Sequence, residues 1–200
     1  KRSMMEFDQS LFFRTYDELL AQKTFREVFY QVFIPLIEEI GLLWQTNTIS
    51  PAHEHFISYL IKQKILVNTA LIQTNQPTKT DTVFVLYLPM HEIHELGIMY
   101  LNYEILSQGY QSIFLGESLP VENLKEFTQI FDDVTFLTYF TVEPNPDEID
   151  SYINNIRENI LTDNSRLWIT GRLAAKIDPK NTDHQLRTFS SIAEIINELS

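Results

Sequence analysis

Apolar residues in the first part of the chain recur every three or four positions, as in Phe25, Val28, Phe29, Val32, Phe33, Leu36, Ile37 and Ile40, and again in Phe56, Tyr59, Leu60, Ile65 and Leu66. That is the period of a helix with one face turned to a core, so the first 75 residues are expected to be all-helical. Gly41-Leu42-Leu43-Trp44 falls at the closing end of one helix, and Ser50 followed by Pro51 predicts an N-cap with proline at the first helical position of the next. Asn75-Gln76-Pro77-Thr78-Lys79 is polar, contains a proline and has no apolar anchor, which predicts a linker. The expected division is a helical bundle over 1–75 and a second domain over 80–200.

Beyond the linker the period changes. Short apolar runs at Thr82 to Leu88, Ser112 to Leu115, Val134 to Phe140, Leu167 to Thr170 and Arg187 to Ser190 predict strands. Amphipathic stretches near 95–107, 121–131, 146–159 and 191–199 predict helices between and after them. Gly109 is placed to close the first of these helices, and Leu119-Pro120-Val121 to open the second. Strands alternating with helices predict a doubly wound, flavodoxin-like (Rossmann-like) parallel sheet of five strands with helices on both faces, preceded by the helical bundle. Tyr139, Phe140 and Trp168 read as sheet core.

Composition narrows the chemistry by exclusion. The 200 residues are 44% hydrophobic, enough for one good core or two small ones, and no apolar run reaches the roughly 18 residues of a membrane span. Zero cysteines exclude disulfides, thiolate metal sites and a cysteine nucleophile, and fit a reducing cytoplasm. Any metal must therefore be held by histidine or carboxylate. With 27 acidic against 15 basic residues and a net charge of −12, the chain by itself repels phosphate backbones. The five glycines, at 41, 97, 109, 116 and 171, form neither GxGxxG nor the GxxxxGK[ST] cradle, so a dinucleotide or P-loop site is not expected. GxSxG is absent too, and His91-Glu92-Ile93-His94 is one residue short of HExxH.

Pro89 to Gly97 lies where the first strand hands over to a helix beginning near Glu95. In open α/β sheets ligands sit beyond the carboxyl ends of the strands, so His94, with Glu92 two residues before it and Gly97 three after, is placed to grip a metal. His91 reads as structural or as a support to that pair.

The spacing Glu92-x-His94-x-x-Gly97 resembles the DxHxxG signature of cobalamin-binding domains, with glutamate for aspartate. Trp44, nine intervening residues and then Glu54-His55 resemble the Wx9EH pattern of cobalamin-dependent, light-sensing transcriptional regulators of the MerR family, the CarH type. The resemblance implies that His94 is the lower axial ligand of cobalt, that Glu92 orients its ring, and that Gly97 lets the corrin or its tail approach the backbone. It implies that Trp44 packs on the upper face of the corrin while Glu54 and His55 meet an adenosyl group, so adenosylcobalamin is the favoured cofactor and methylcobalamin the other form. Thr138-Tyr139-Phe140 stands where the family has SxL, and Gly171-Arg172 where it has GG; through Thr138 and Gly171 the resemblance places the slot for the nucleotide tail here. Arg172 departs from the second glycine, and Gln45 stands where the photosensor type has a histidine that takes the upper cobalt position after light.

These readings converge on a non-enzymatic, cytoplasmic cobalamin-binding sensor that self-associates as a dimer or tetramer. It would contact DNA only through an N-terminal helix-turn-helix domain, expected to precede Lys1 because the sequence opens Lys1-Arg2-Ser3 rather than on methionine. Cobalamin would shift a population between oligomeric states, and a light response is compatible with the family. Two other classes share the same plan: a corrinoid carrier of a methyltransferase system, and a descendant that no longer binds cobalamin and acts in oligomerisation alone.

Overall fold

The computed structural model describes residues 1–46 and 48–199, without the side chains of Trp44 and Gln45. It divides into two compact units, Lys1–Asn68 and Thr69–Ser200.

The first unit is helical. After a short α1 (Arg2–Met5), α2 (Gln9–Leu20) starts where the Asp8 carboxylate accepts the Leu11 amide at 2.8 Å. Thr24 and Glu27 form a reciprocal capping box that opens α3 (Phe25–Val28), satisfying amides the first helical turn cannot pair internally. A π-helical segment, Phe29–Phe33, joins α3 to α4 (Ile34–Gln45). Pro35 has no N–H to give to the preceding turn, and the widened register just before it accommodates that missing bond. α5 (Pro51–Ile72) begins after Ser50, as the Ser-Pro pair predicts. The core holds Phe12, Tyr16, Phe25, Val28, Phe29, Phe33 and Ile40 with Ile57, Leu60, Ile61 and Ile65 of α5. Phe12, Tyr16 and Phe33 stack nearly parallel, with centroids 6.0–6.4 Å apart. Two positions differ from the periodicity: Tyr59 and Leu66 are 61% and 50% exposed. α5 carries apolar residues around most of its circumference, so the period alone selects the wrong stripe; the buried one runs through 57, 60, 61 and 65.

The second unit is a five-stranded sheet of order β2-β1-β3-β4-β5, every pairing parallel. β1 (Lys79–Tyr87) starts earlier than its apolar run suggests, because the amides of Thr78 and Lys79 both donate to the Gly109 carbonyl, at 2.9 and 2.8 Å. Then follow α6 (Leu96–Ser107), β2 (Tyr110–Gly116), a 3-10 turn (Val121–Leu124) running into α7 (Lys125–Ile130), and β3 (Val134–Tyr139). α8 (Ile149–Asn159), β4 (Ser165–Thr170), β5 (Leu186–Thr188) and α9 (Ile192–Leu199) complete the unit. One face packs Val83, Val85, Tyr87, Val134, Phe136, Leu167 and Ile169 with Val121, Leu124, Ile149, Ile153 and Ile156 into a continuous core. Each fully buried aliphatic side chain there contributes about 2 kcal/mol of transfer free energy. Phe140 and Trp168 are core residues as expected, at 0% and 6% exposure. Among the described residues no helix is long and apolar enough to cross a membrane.

The strand order reverses direction between β1 and β3, which run side by side while their connections leave to opposite edges. Loops leaving the carboxyl ends of such a pair splay apart and make the crevice where open α/β sheets bind ligands.

Candidate functional site

The loop after β1 carries Glu92 and His94 into that crevice, and the loop after β3 faces it. Glu92 is fully buried, which an isolated carboxylate would not tolerate. Here it is fully dressed. One oxygen accepts the amides of Ile93 and His94, each at 3.0 Å, and the ring Nδ1 of His94 at 2.6 Å. The other accepts three successive amides from the β3 loop: Thr141 at 3.1 Å, Val142 at 2.7 Å and Glu143 at 3.0 Å. Burial pushes the carboxyl up, but the His94 ring and the amides of Val142, Glu143 and His94 together outweigh it and hold it at about 2. Glu92 is thus ionised and can only accept, so the proton of the 2.6 Å contact sits on His94 Nδ1. Nε2 is then the nitrogen of the neutral ring that bears a lone pair for a metal. The His94 side chain is 50% exposed while its orienting acid is 0% exposed.

Apolar side chains from both loops are exposed around the crevice. Met90, Ile93 and Val142 are 41%, 64% and 47% exposed. His91 stands in a left-handed conformation with φ 67°, and its amide donates to Ser118 Oγ at 3.1 Å, pinning the loop to the exit of β2.

Gly97, in the first turn of α6, is partly buried against Tyr139. A Cβ there would fall 2.7 Å from Cε2 of Tyr139. Gly171, just after β4 with φ 99°, would place a Cβ 2.5 Å from the Phe140 carbonyl oxygen and 2.8 Å from Cδ1 of Tyr139. Thr138 is fully buried and pairs in register with Tyr87; neighbours along a strand point to opposite faces, so Tyr139 rather than Thr138 meets the two glycines. Arg172 is exposed, and its guanidinium donates to the Thr141 carbonyl at 3.1 and 3.3 Å.

In the helical unit Glu54 and His55 lie near the start of α5, His55 Nε2 and a Glu54 oxygen being 4.0 Å apart with His55 78% exposed. His53 Nδ1 lies 2.9 Å from Ser50 Oγ, and its ring stacks on Phe7 with centroids 4.5 Å apart. The Trp44 side chain lies outside the described residues. The structure brings Glu92 and His94 into contact, and adds to them the amides of 141–143 and the ring of Tyr139, which the sequence did not indicate.

Among the described residues no three or more histidine, aspartate or glutamate side chains converge to hold a metal ion. A bare cation would want such a cluster; a metal that arrives inside a macrocycle needs one axial donor, and a histidine with a fixed tautomer is a suitable one. The donor pair is compatible with the cobalt of a corrin, which the resemblance of Glu92-x-His94-x-x-Gly97 implies. The space beside Gly97 and Gly171, by contrast, is filled by the chain's own side chain.

Residues 1–67 match the family model of the B12 binding domain. The HTH-type transcriptional repressor CarH of Myxococcus xanthus is 26% identical over 118 residues, covering 59% of this chain and 38% of that protein. The chain thus aligns with well under half of its curated relative. The monomethylamine corrinoid protein of Methanosarcina barkeri has a similar fold, with TM-score 0.73 and 16% identity over 92% of this chain and 86% of that one. The family-model match and the repressor together support a cobalamin-binding region.

Proposed function

We propose that the chain is the cobalamin-binding, self-associating sensor region of a MerR-type transcriptional regulator. Adenosylcobalamin is favoured over methylcobalamin, and DNA is bound by a helix-turn-helix domain outside this chain. The observation that carries the reading is the half-exposed His94 ring whose Nδ1 is locked by a buried, ionised Glu92 at the topological switch point. That arrangement presents Nε2 as an axial donor with its tautomer already set, so ligation costs no reorganisation of the ring. The exposed Met90, Ile93 and Val142 supply an apolar rim of the kind a broad macrocycle would cover. To the adenosyl group we assign Trp44, Glu54 and His55, on their motif spacing alone.

When bound, the corrin supplies cobalt chemistry. The chain's own part is to hold it by His94, keep that imidazole oriented through Glu92, and convert occupancy into an oligomeric state. Filling a site in one of two states shifts their populations by the difference in affinity, which is how a ligand without contact to DNA could set repression.

Titrating the purified protein with adenosylcobalamin and methylcobalamin is expected to give the absorption spectrum of a histidine-ligated, base-off corrinoid, co-eluting with protein at a changed apparent size. His94→Ala should abolish that spectrum and weaken binding by at least about tenfold. A spectrum identical to free cofactor, without co-elution, would sink the reading; retention of the histidine-bound spectrum in the variant would identify another ligand. Elution profiles of the adenosylcobalamin complex before and after green light separate a photosensor, whose size changes, from a plain ligand sensor, whose size does not.

A further inference from the structure

Gly97 and Gly171 come from different strand exits, yet their missing side chains leave room for the same object. The Tyr139 ring, half-buried at the end of β3, meets Gly97 along its Cε2 and Cζ atoms and Gly171 at Cδ1. A Cβ at either position would lie within 3.0 Å of the ring, a distance at which the ring must move. Gly97 is thus accounted for by Tyr139 itself, and Gly171 by its φ of 99° and the Phe140 carbonyl together with the same ring, with no ligand invoked. On the β4 side Arg172 directly follows Gly171, and its guanidinium is held by the Thr141 carbonyl.

On the cobalamin reading above, on which this inference rests, these glycines border the region assigned to the lower nucleotide of the cofactor. We propose that Tyr139 determines corrinoid specificity: its ring occupies the position of the lower nucleotide, so the site discriminates in favour of corrinoids that lack one. Such a corrinoid has no internal base competing with His94 for the lower face of cobalt. It also leaves the Tyr139 ring in place. Complete cobalamin must either turn the ring out, exposing it and forfeiting its packing on two glycines, or leave its own tail unburied. Either cost falls on cobalamin alone.

Calorimetric and spectroscopic titration of the folded chain with cobinamide and with cobalamin, the upper ligand matched, tests this. Wild type is expected to bind cobinamide at least about tenfold more tightly than cobalamin. Tyr139→Ala should tighten cobalamin by about tenfold or more while changing cobinamide less than about threefold, and Tyr139→Phe, which keeps the ring, should behave as wild type. Tyr139→Leu, which retains apolar bulk at the strand end but shortens its reach, gives a second opening variant should alanine fail to fold. Equal affinities in wild type, or a ratio unchanged by both opening variants, would overturn the specificity role while leaving corrinoid binding intact. Binding of neither corrinoid by any variant would overturn both.

Discussion

Glu92→Gln is expected to lower the stability of the sheet unit by about 3 kcal/mol at pH 7, measured by urea unfolding. Glutamine keeps the length and shape, but whichever way its amide is turned, an NH2 group replaces an oxygen that now accepts three N–H donors. Donors facing a donor inside the protein lose their partners without regaining water. The pH dependence follows from the depressed carboxyl. Its ordinary value is 4.5 and the folded value about 2, so the stabilising contribution is complete above roughly pH 4.5 and is lost as the pH falls toward 2. The gap between wild type and variant should therefore be widest at neutral pH and close on acidification through that window. A gap below about 1 kcal/mol at pH 7, or one that widens in acid, would mean the carboxylate is not held as described. The same variant should also release the tautomer of His94, visible as a change in its ring nitrogen shifts.

Gly171→Ala should be comparably severe, costing about 3–5 kcal/mol. At φ 99° and ψ 173° the backbone occupies a region essentially restricted to glycine. The added methyl would also press to 2.5 Å against the Phe140 carbonyl oxygen, which accepts the Leu173 amide at 3.0 Å. A backbone oxygen cannot rotate away as a side chain could, so the β3 exit or the turn after β4 must shift. Thermal unfolding should move down by about 10 °C, and hydrogen exchange should rise in peptides covering 138–144 and 168–175. A melting point within about 2 °C of wild type would show that the turn relaxes freely. Gly97→Ala serves as the contrast, because its obstacle is the Tyr139 ring, which can tilt.

The parts of this molecule that were legible in sequence are those governed by neighbours along the chain. Strand cores such as Val83 to Leu88 and Val134 to Phe140 announce themselves by continuous apolar character, as parallel strands covered on both faces do. Glu92 and His94, two residues apart on one loop, could be paired by spacing alone. Placement decided by distant packing was not legible. The amides of Thr141, Val142 and Glu143 carry no side-chain signature, and nothing local to Glu92 indicates that its second oxygen would find them. Tyr139 read as one more core aromatic; its contact with two glycines from other strand exits depends on strand parity and on where β3 ends. On α5 the excess of apolar residues hid which stripe was buried, and Tyr59 and Leu66 were assigned to the wrong side.

The Glu92 carboxylate is also a mechanical joint. It ties the His94 loop to the β3 exit, and the Thr141 carbonyl in turn takes the Arg172 guanidinium that follows β4. Three strand ends are thereby strung on one short line without slack, ending in an imidazole that faces outward. A load applied to that imidazole, such as a metal drawing it by a fraction of an ångström, is borne by the whole rim of the sheet rather than by one loop.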